Sequence, residues 1–405
     1  MTISPAPGVA FLLGSGASIP AGMPSTLDLT ERILSGEGVA RHTDATYHLG
    51  RPLYAHMGLE DEFVPRIVSF FDILKEEITP YYCTFLTDYR PNYEDLYYVS
   101  NQVLDTVTGE YDNPAVQPFI ERILPRIQPL LIGKAGEIRE RWSLGELARE
   151  AIHYIHDVVW CKLSMKPKQF DHLRSVRDAC EDRQVSRVDL FTLNHDTVLE
   201  QYLSQDTIQF TDGFGEPVHD VRYWDPNLLE NPSIKVRVLK LHGSVNWFRL
   251  RPDGGGWSEE SIGISLKGDP DHTKSREGLR QLSVEGRPKL LVGTFNKMLS
   301  YISGIHMDLH AQFHRSLPRI KGLVVCGYSF GDRGINTRII EWMYAGPDRN
   351  MTIVHPDPGE LKSDGRSAFV GKWEELEAQG KLRIIREKIE GANREDIRRT
   401  LGLAG

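Results

Sequence analysis

Val9-Ala10-Phe11-Leu12-Leu13-Gly14-Ser15-Gly16-Ala17-Ser18 is the stretch that decides the fold class. A short run that is apolar at every position, closed by glycines, is the pattern of a strand buried on both faces, as in a parallel sheet. Similar runs return far downstream, at Val188–Leu193, Val236–Leu241, Leu290–Val292, Leu323–Cys326, Met351–Val354 and Leu382–Ile385. Between about residue 55 and 185 the texture is different. Phe63, Ile67, Phe70, Phe71 and Leu74 recur at helical spacing, as do Phe119, Ile123, Ile127 and Leu131, and Leu144, Leu147, Ile152, Ile155 and Val159. The expected architecture is α/β: a Rossmann-like parallel sheet with helices on both faces, plus a large, mostly helical insertion. Ser25, after Pro24, is placed to N-cap a helix through Leu27, Leu29 and Ile33. Gly254–Ser258 and Lys267–Arg276 read as exposed loops.

Bulk properties narrow the function classes. A net charge of −8 opposes a broad electrostatic grip on nucleic acid, so no direct nucleic-acid binding is expected. The basic stretch Lys162–Lys168 reads as a solvated loop. There is no apolar run of about 18 residues, and Met1–Ala10 lacks a signal-peptide layout, which points to a cytoplasmic protein without a membrane span. Cys83, Cys161, Cys180 and Cys326 form no C-x-x-C pair, so neither a zinc site nor any other metal is expected. His153 and His156 lie three apart on an expected helix but lack further ligands, and Tyr81, Tyr82, Tyr93, Tyr97 and Tyr98 read as helix packing.

In open parallel sheets ligands bind beyond the carboxyl ends of the strands, and four polar motifs fall there. Gly14-Ser15-Gly16-Ala17-Ser18, followed by Ala21-Gly22-Met23-Pro24, is a turn whose glycines would let backbone N–H groups and a helix N-terminus approach a phosphate. Ile19 stands at the third glycine position of a dinucleotide fingerprint, and an ordinary strand–helix turn has the same composition. Thr192-Leu193-Asn194-His195-Asp196 offers an amide and a carboxylate for ribose hydroxyls and an amide-bearing leaving group, or simply an Asx-type helix cap. Lys240-Leu241-His242-Gly243-Ser244 offers a general base, or a histidine satisfied by backbone. Cys326-Gly327-Tyr328-Ser329-Phe330-Gly331-Asp332, with Asn336 a turn later, suits a ribose or phosphate. It also matches the G-x-S-x-G nucleophile elbow, with Asp348 and His355 following in hydrolase order.

Taken in order, these four motifs resemble the sirtuin family, most closely the bacterial sirtuin-like NADase branch of anti-phage defence, over residues 8–27 and about 186–357. The resemblance implies a Rossmann-like NAD-binding domain at residues 1–40 and 186–405 and a helical insertion at 41–185. It implies that Gly14, Ser15, Gly16, Ala17 and Ser18 cradle the NAD diphosphate, and that Asn194 binds the nicotinamide ribose or a water near C1′. Asp196 would help hold the nicotinamide end, and His242 would be the general base. Gly327 and Ser329 would contact the adenosine ribose, and His355 and Asp357 would line the adenine side. The Asp-Phe-Arg of deacylase sirtuins is replaced by Ser25-Thr26-Leu27, and the four-cysteine zinc ribbon is missing. The activity that the resemblance to the NADase branch implies is NAD glycohydrolysis to nicotinamide and ADP-ribose, or a cyclised form. The alternatives are an NAD-dependent protein deacylase and an NAD/ADP-ribose-binding module without turnover. Homo-oligomers, and a partner of the HerA-type ATPase–helicase or Argonaute-like kind, are further expectations of the resemblance.

Overall fold

The computed structural model describes residues 8–50, 58–84, 86, 88–110, 113–133, 140–294, 296–364, 368–392 and 394–401; residues 1–7 of the N-terminal stretch read above lie outside them. The chain divides into two compact units. One comprises Met1–Met23, Lys166–Leu291 and Met298–Gly405, and the other Pro24–Met165 with Val292–Lys297.

The first unit is built on seven strands: β1 Gly8–Leu13, β2 Arg187–Thr192, β3 Phe210–Thr211, β4 Val236–Lys240, β5 Ile320–Cys326, β6 Asn350–Val354 and β7 Leu382–Ile385. Their order is β7-β6-β5-β1-β2-β4-β3, and every pairing is parallel. The period of two along a strand explains why β1 is apolar throughout. Val9, Phe11 and Leu13 pack on one face with Val176, Leu199, Leu203 and Ile397. Ala10 and Leu12 pack on the other with Leu309, Phe313, Ile339 and Trp342. Both faces are thus covered by helices, as a parallel sheet requires. The chain runs from β1 to β2 and β4 on one side and later returns to β5 on the other. The β1/β5 pair is therefore the switch point at which doubly wound sheets open a crevice.

Two features of this unit differ from the sequence pattern. Leu290–Val292 is not a strand. Leu290 forms a single antiparallel bridge with Gly243, and Leu291 donates its N–H to the His242 carbonyl at 2.8 Å. Leu290 and Leu291 thus brace the end of β4. The second difference is an added five-stranded antiparallel sheet, ordered Thr273–Lys274, Arg280–Ser283, Phe248–Pro252, Ser261–Ser265 and Val221–Tyr223. Gly254–Ser258 lies in its exposed connection, with Trp257 at 84% exposure.

A charge also lies inside the parallel sheet. Asp189 of β2 accepts from Arg237 Nε of β4 at 2.7 Å, and Arg237 also reaches Ser316 Oγ and the Leu229 carbonyl. Buried charge is tolerated there because it is hydrogen-bonded at several atoms.

The second unit is mostly helical, with helices Thr26–Ser35, Phe63–Cys83, Tyr93–Thr108, Val116–Ile127 and Leu144–Leu163. Ser25 caps the first of these. Its hydroxyl accepts the Asp28 N–H at 3.1 Å, and Asp28 accepts the Ser25 N–H at 2.8 Å. Phe63, Ile67, Phe70, Phe71 and Leu74 are all buried on one helix, and Tyr93 is buried while Tyr81 is exposed. Arg41 forks onto both oxygens of Glu150, at 2.9 and 2.8 Å, inside this unit. No helix among the described residues is long and apolar enough to cross a membrane.

Gly327, at the end of β5, has φ +65°, and a Cβ there would lie 2.2 Å from the Ala17 amide nitrogen. Gly38 has φ +69° with open space around it. Gly327→Ala should cost about 2–4 kcal/mol, against about 1 kcal/mol for Gly38→Ala. Urea-unfolding midpoints give the comparison, and equal losses would contradict the close backbone contact at Gly327.

Candidate functional site

The glycine turn after β1 is shaped by its neighbour on β5. Gly14 N–H donates to the Cys326 carbonyl at 2.9 Å and Gly16 N–H to the Gly327 carbonyl at 3.0 Å. A Cβ on Gly16 would meet Gly327 Cα at 2.7 Å. The chain then makes two 3-10 turns, Ser15–Ala17 and Ile19–Ala21. This corrects the expectation of a helix N-terminus at the turn, since the first α-helix starts at Thr26. Ala17 N–H donates to the Gly14 carbonyl and Ser18 N–H to that of Ser15. Four of the five amides in this segment are thus engaged, two across to Cys326 and Gly327 and two within the turn. What remains for an anion is the Ser15 N–H, together with the hydroxyls of Ser15 and Ser18.

Asn194 ties the end of β2 to this turn. Its Nδ2 donates to the Gly14 carbonyl at 2.9 Å and to Ser18 Oγ at 2.8 Å. A carbonyl can only accept, so the amide nitrogen must face it. Oδ1 is then the atom of Asn194 left to act on a ligand. Asp196 Oδ1 accepts the Val198 N–H at 3.0 Å, an Asx turn leading into helix Val198–Gln205, whose N-cap position is Thr197. The buried Lys240 binds the Asp196 carbonyl and pairs with Glu200 at 3.0 Å. Burial pushes the Glu200 carboxyl up against the pull of Lys240. Leu13, Ala17, Ser18, Thr192, Asn194, Asp196 and Lys240 surround a cavity of about 10 Å³, roughly what one water needs. A groove of about 410 Å³ in the same unit is lined by Phe170, Glu200, Asp212, Arg222 and Asn246, among others, and holds none of the residues predicted from sequence.

His242, after β4, meets the β5 motif. Its Nε2 is 3.0 Å from Asp332 Oδ2 and 3.1 Å from Tyr301 Oη, and the Tyr301 hydroxyl donates to the same carboxylate oxygen. Gly243 must be glycine: at φ +83° a Cβ would sit 2.0 Å from the Lys289 carbonyl oxygen. Around His242 stand His195, with ring centroids 6.3 Å apart, and Tyr301, which stacks on His310 at 3.6 Å. His306 is buried beside them. Burial, reinforced by His242, pushes His306 down to about 3 and His310 to about 4, so both are neutral near pH 7. Tyr301, His306, His310 and Asp332 were not predicted as site residues. The i, i+4 spacing of His306 and His310 was the available signal.

The β5 motif itself is mostly structural. Tyr328 Oη donates to Asn336 Oδ1 at 2.7 Å, and Asn336 Nδ2 to the Phe330 carbonyl at 2.8 Å, with Asn336 fully buried. Ser329 is exposed. At the end of β6, His355 Nδ1 accepts the Asp357 N–H at 3.1 Å, and exposed Asp357 caps the next helix through Gly359 and Glu360. No described hydrogen bond links Ser329, His355 and Asp348, and Asp348 pairs with Lys321 on the surface. The hydrolase arrangement is therefore not assembled. The structure does join the first two motifs through Asn194 and the last two through Asp332. Among the described residues, no hydrogen bond or ion pair given for His355 or Asp357 reaches the other predicted residues. Among the described residues no group of three or more His, Cys, Asp or Glu side chains could hold a metal ion.

Residues 188–378 match the SIR2-like domain family. The SIR2-like segment contains Asn194, Asp196, His242, Gly327, Ser329, His355 and Asp357, while the Gly14–Ser18 turn precedes it. No curated protein matches the chain. Among solved structures, the chain is similar to a Sir2 homologue–NAD complex at 12% identity and TM-score 0.37, covering 97% of this chain and 89% of that one. It is also similar to a mutant Sir2 homologue with 2′-O-acetyl ADP-ribose, at 13% identity and TM-score 0.37, covering 98% and 94%.

The histidine cluster ties stability to pH. Folded His306 and His310 refuse protons that the unfolded chain takes up below about pH 6.5. Their contribution is complete above that pH and is lost as pH falls toward 4. The thermal midpoint should drop from pH 7.5 to 4.5, and the double variant His306→Gln/His310→Gln should drop less steeply. An identical slope would contradict the burial of neutral imidazoles.

Proposed function

We propose that the first unit binds NAD as a substrate and hydrolyses its nicotinamide–ribose bond, giving nicotinamide and ADP-ribose or a cyclised form. The observation that carries this reading is Asn194. Its amide nitrogen is locked to the glycine turn at the switch point, which leaves its oxygen directed by the fold rather than by a flexible loop. The residues fit such a substrate in kind, with serine hydroxyls at the glycine turn and a small cavity of mixed lining to which Asn194 and Asp196 contribute beside Leu173, Val198 and Leu199. That cavity must open to admit a nicotinamide ring. Gly14, Ser15, Gly16, Ala17 and Ser18 would hold the diphosphate, chiefly through Ser15 and the hydroxyls. Gly327 and Ser329 would meet the adenosine ribose, and His355 and Asp357 the adenine side.

In the reaction the C1′–N bond breaks heterolytically. Its electron pair leaves with nicotinamide, and positive charge develops on the ribosyl carbon. Asn194 Oδ1 accepts from the attacking water or a ribose hydroxyl and favours that charge. The water oxygen bonds to C1′, and its proton passes to His242. A deacylase would need an acylated-lysine partner, and a binding module would leave NAD intact. Support for NAD depletion in anti-phage defence, for self-assembly and for a HerA-type ATPase–helicase partner comes from the sequence resemblance.

Asn194→Ala and His242→Ala should each lower kcat for nicotinamide release by about 100-fold or more while leaving the far-UV spectrum unchanged. Asn194→Asp should be no better than Asn194→Ala, because a carboxylate oxygen would face the Gly14 carbonyl. Chromatographic quantification of nicotinamide decides the point, and normal turnover in both alanine variants would overturn the assignment.

A further inference from the structure

We infer that Asp332 and Tyr301 are positioning residues that decide which nitrogen of His242 works as the base, an inference that rests on the NAD reading above. A carboxylate can only accept hydrogen bonds. Asp332 Oδ2 lies 3.0 Å from His242 Nε2 and also receives the Tyr301 hydroxyl. With its proton committed to Asp332, the Tyr301 oxygen presents a lone pair to Nε2 at 3.1 Å. Both neighbours of Nε2 therefore require an N–H there. Nε2 carries the proton, and Nδ1 becomes the nitrogen that accepts one.

The carboxylate is itself held in place. Asp332 Oδ1 accepts the Ile335 N–H at 3.0 Å as the N-cap of helix Arg333–Tyr344, and its own N–H donates to Tyr328 Oη at 3.2 Å. Tyr301 is fixed by its stack on His310 and by Gly334, where a Cβ would lie 2.8 Å from the Tyr301 ring. Other titratable groups around His242 include His195, His306 and His310, with Lys289 acting on His306 and Arg338 on His310. His306 and His310 are neutral near pH 7, so Asp332 is the anion that compensates an imidazolium at His242. The G-Y-S-F-G-D motif thus contributes its last residue to the base, while Tyr328 and Asn336 hold its shape.

Asp332→Asn keeps an oxygen for the helix cap but can present either a donor or an acceptor to Nε2. The expected result is a fall in kcat of about 100-fold or more, with KM within a few-fold of wild type. The acid limb of the kcat–pH profile should also move to lower pH, since the imidazolium loses its counter-charge. Tyr301→Phe should lower kcat by about 10-fold. Nitrogen NMR of ¹⁵N-histidine-labelled protein reads the tautomer without any substrate, with the His242 signals identified by their loss in His242→Gln. Wild type should show the Nε2–H form and Asp332→Asn a mixture. Active wild type together with an Asp332→Asn variant of unchanged kcat, pH limb and tautomer would overturn the inference while the NAD reading stands. A tautomer that changes with Asp332 in a wild type that does not consume NAD would support the positioning geometry and remove the NAD reading.

Discussion

The backbone of Gly327 rests on the backbone of Gly16 and Ala17 so closely that no side chain fits at position 16 or 327. The rest of the site depends on this contact. It clamps the turns after β1 and β5 together at the point where the sheet reverses direction. It consumes N–H groups that an isolated phosphate loop would keep, because Gly14 and Gly16 donate across the gap to Cys326 and Gly327. The glycines are required first by the packing of one turn against the other. In the proposed reading, ligand contact falls to serine hydroxyls and to the side chains brought in from β2 and β4.

Those side chains arrive in pairs. Asn194 is bound to the β1 turn, and His242 to the capping residue of the helix after β5. Each of the four strand ends is thus connected to one beyond its own segment, and charge is arranged with little waste. Lys240 is satisfied by Glu200 and a carbonyl, Asp332 by a histidine, a tyrosine and a helix N-terminus, and His306 and His310 stay neutral near pH 7. Such preorganisation is what a site stabilising developing positive charge needs, because dipoles already aimed do not have to reorganise during reaction.

The parallel sheet could be read from the sequence because strands buried on both faces are apolar at every position, and because polar motifs recur at their ends. The five-stranded antiparallel sheet could not. Its strands are two to five residues long and include Thr273–Lys274 and Arg280–Ser283, whose polarity matches that of loops. Leu290–Val292 misled in the opposite way, since its apolar residues are buried without forming a ladder. Asn194 and His242 stood out by position, but the partners of His242 did not. Asp332 looks like any helix cap, and Tyr301 lies outside every strand-end motif. Only the folded chain sets a tyrosine and an aspartate from separate segments against one imidazole nitrogen.

The central claim is that NAD sits at the joined ends of β1, β2 and β5. Hydrogen–deuterium exchange of His242→Ala, with and without saturating NAD, tests the location most directly. The account predicts new protection in residues 14–18, 192–196 and 327–331. Unchanged exchange in these three segments, or protection confined to the groove around Glu200, Asp212 and Arg222, would contradict it.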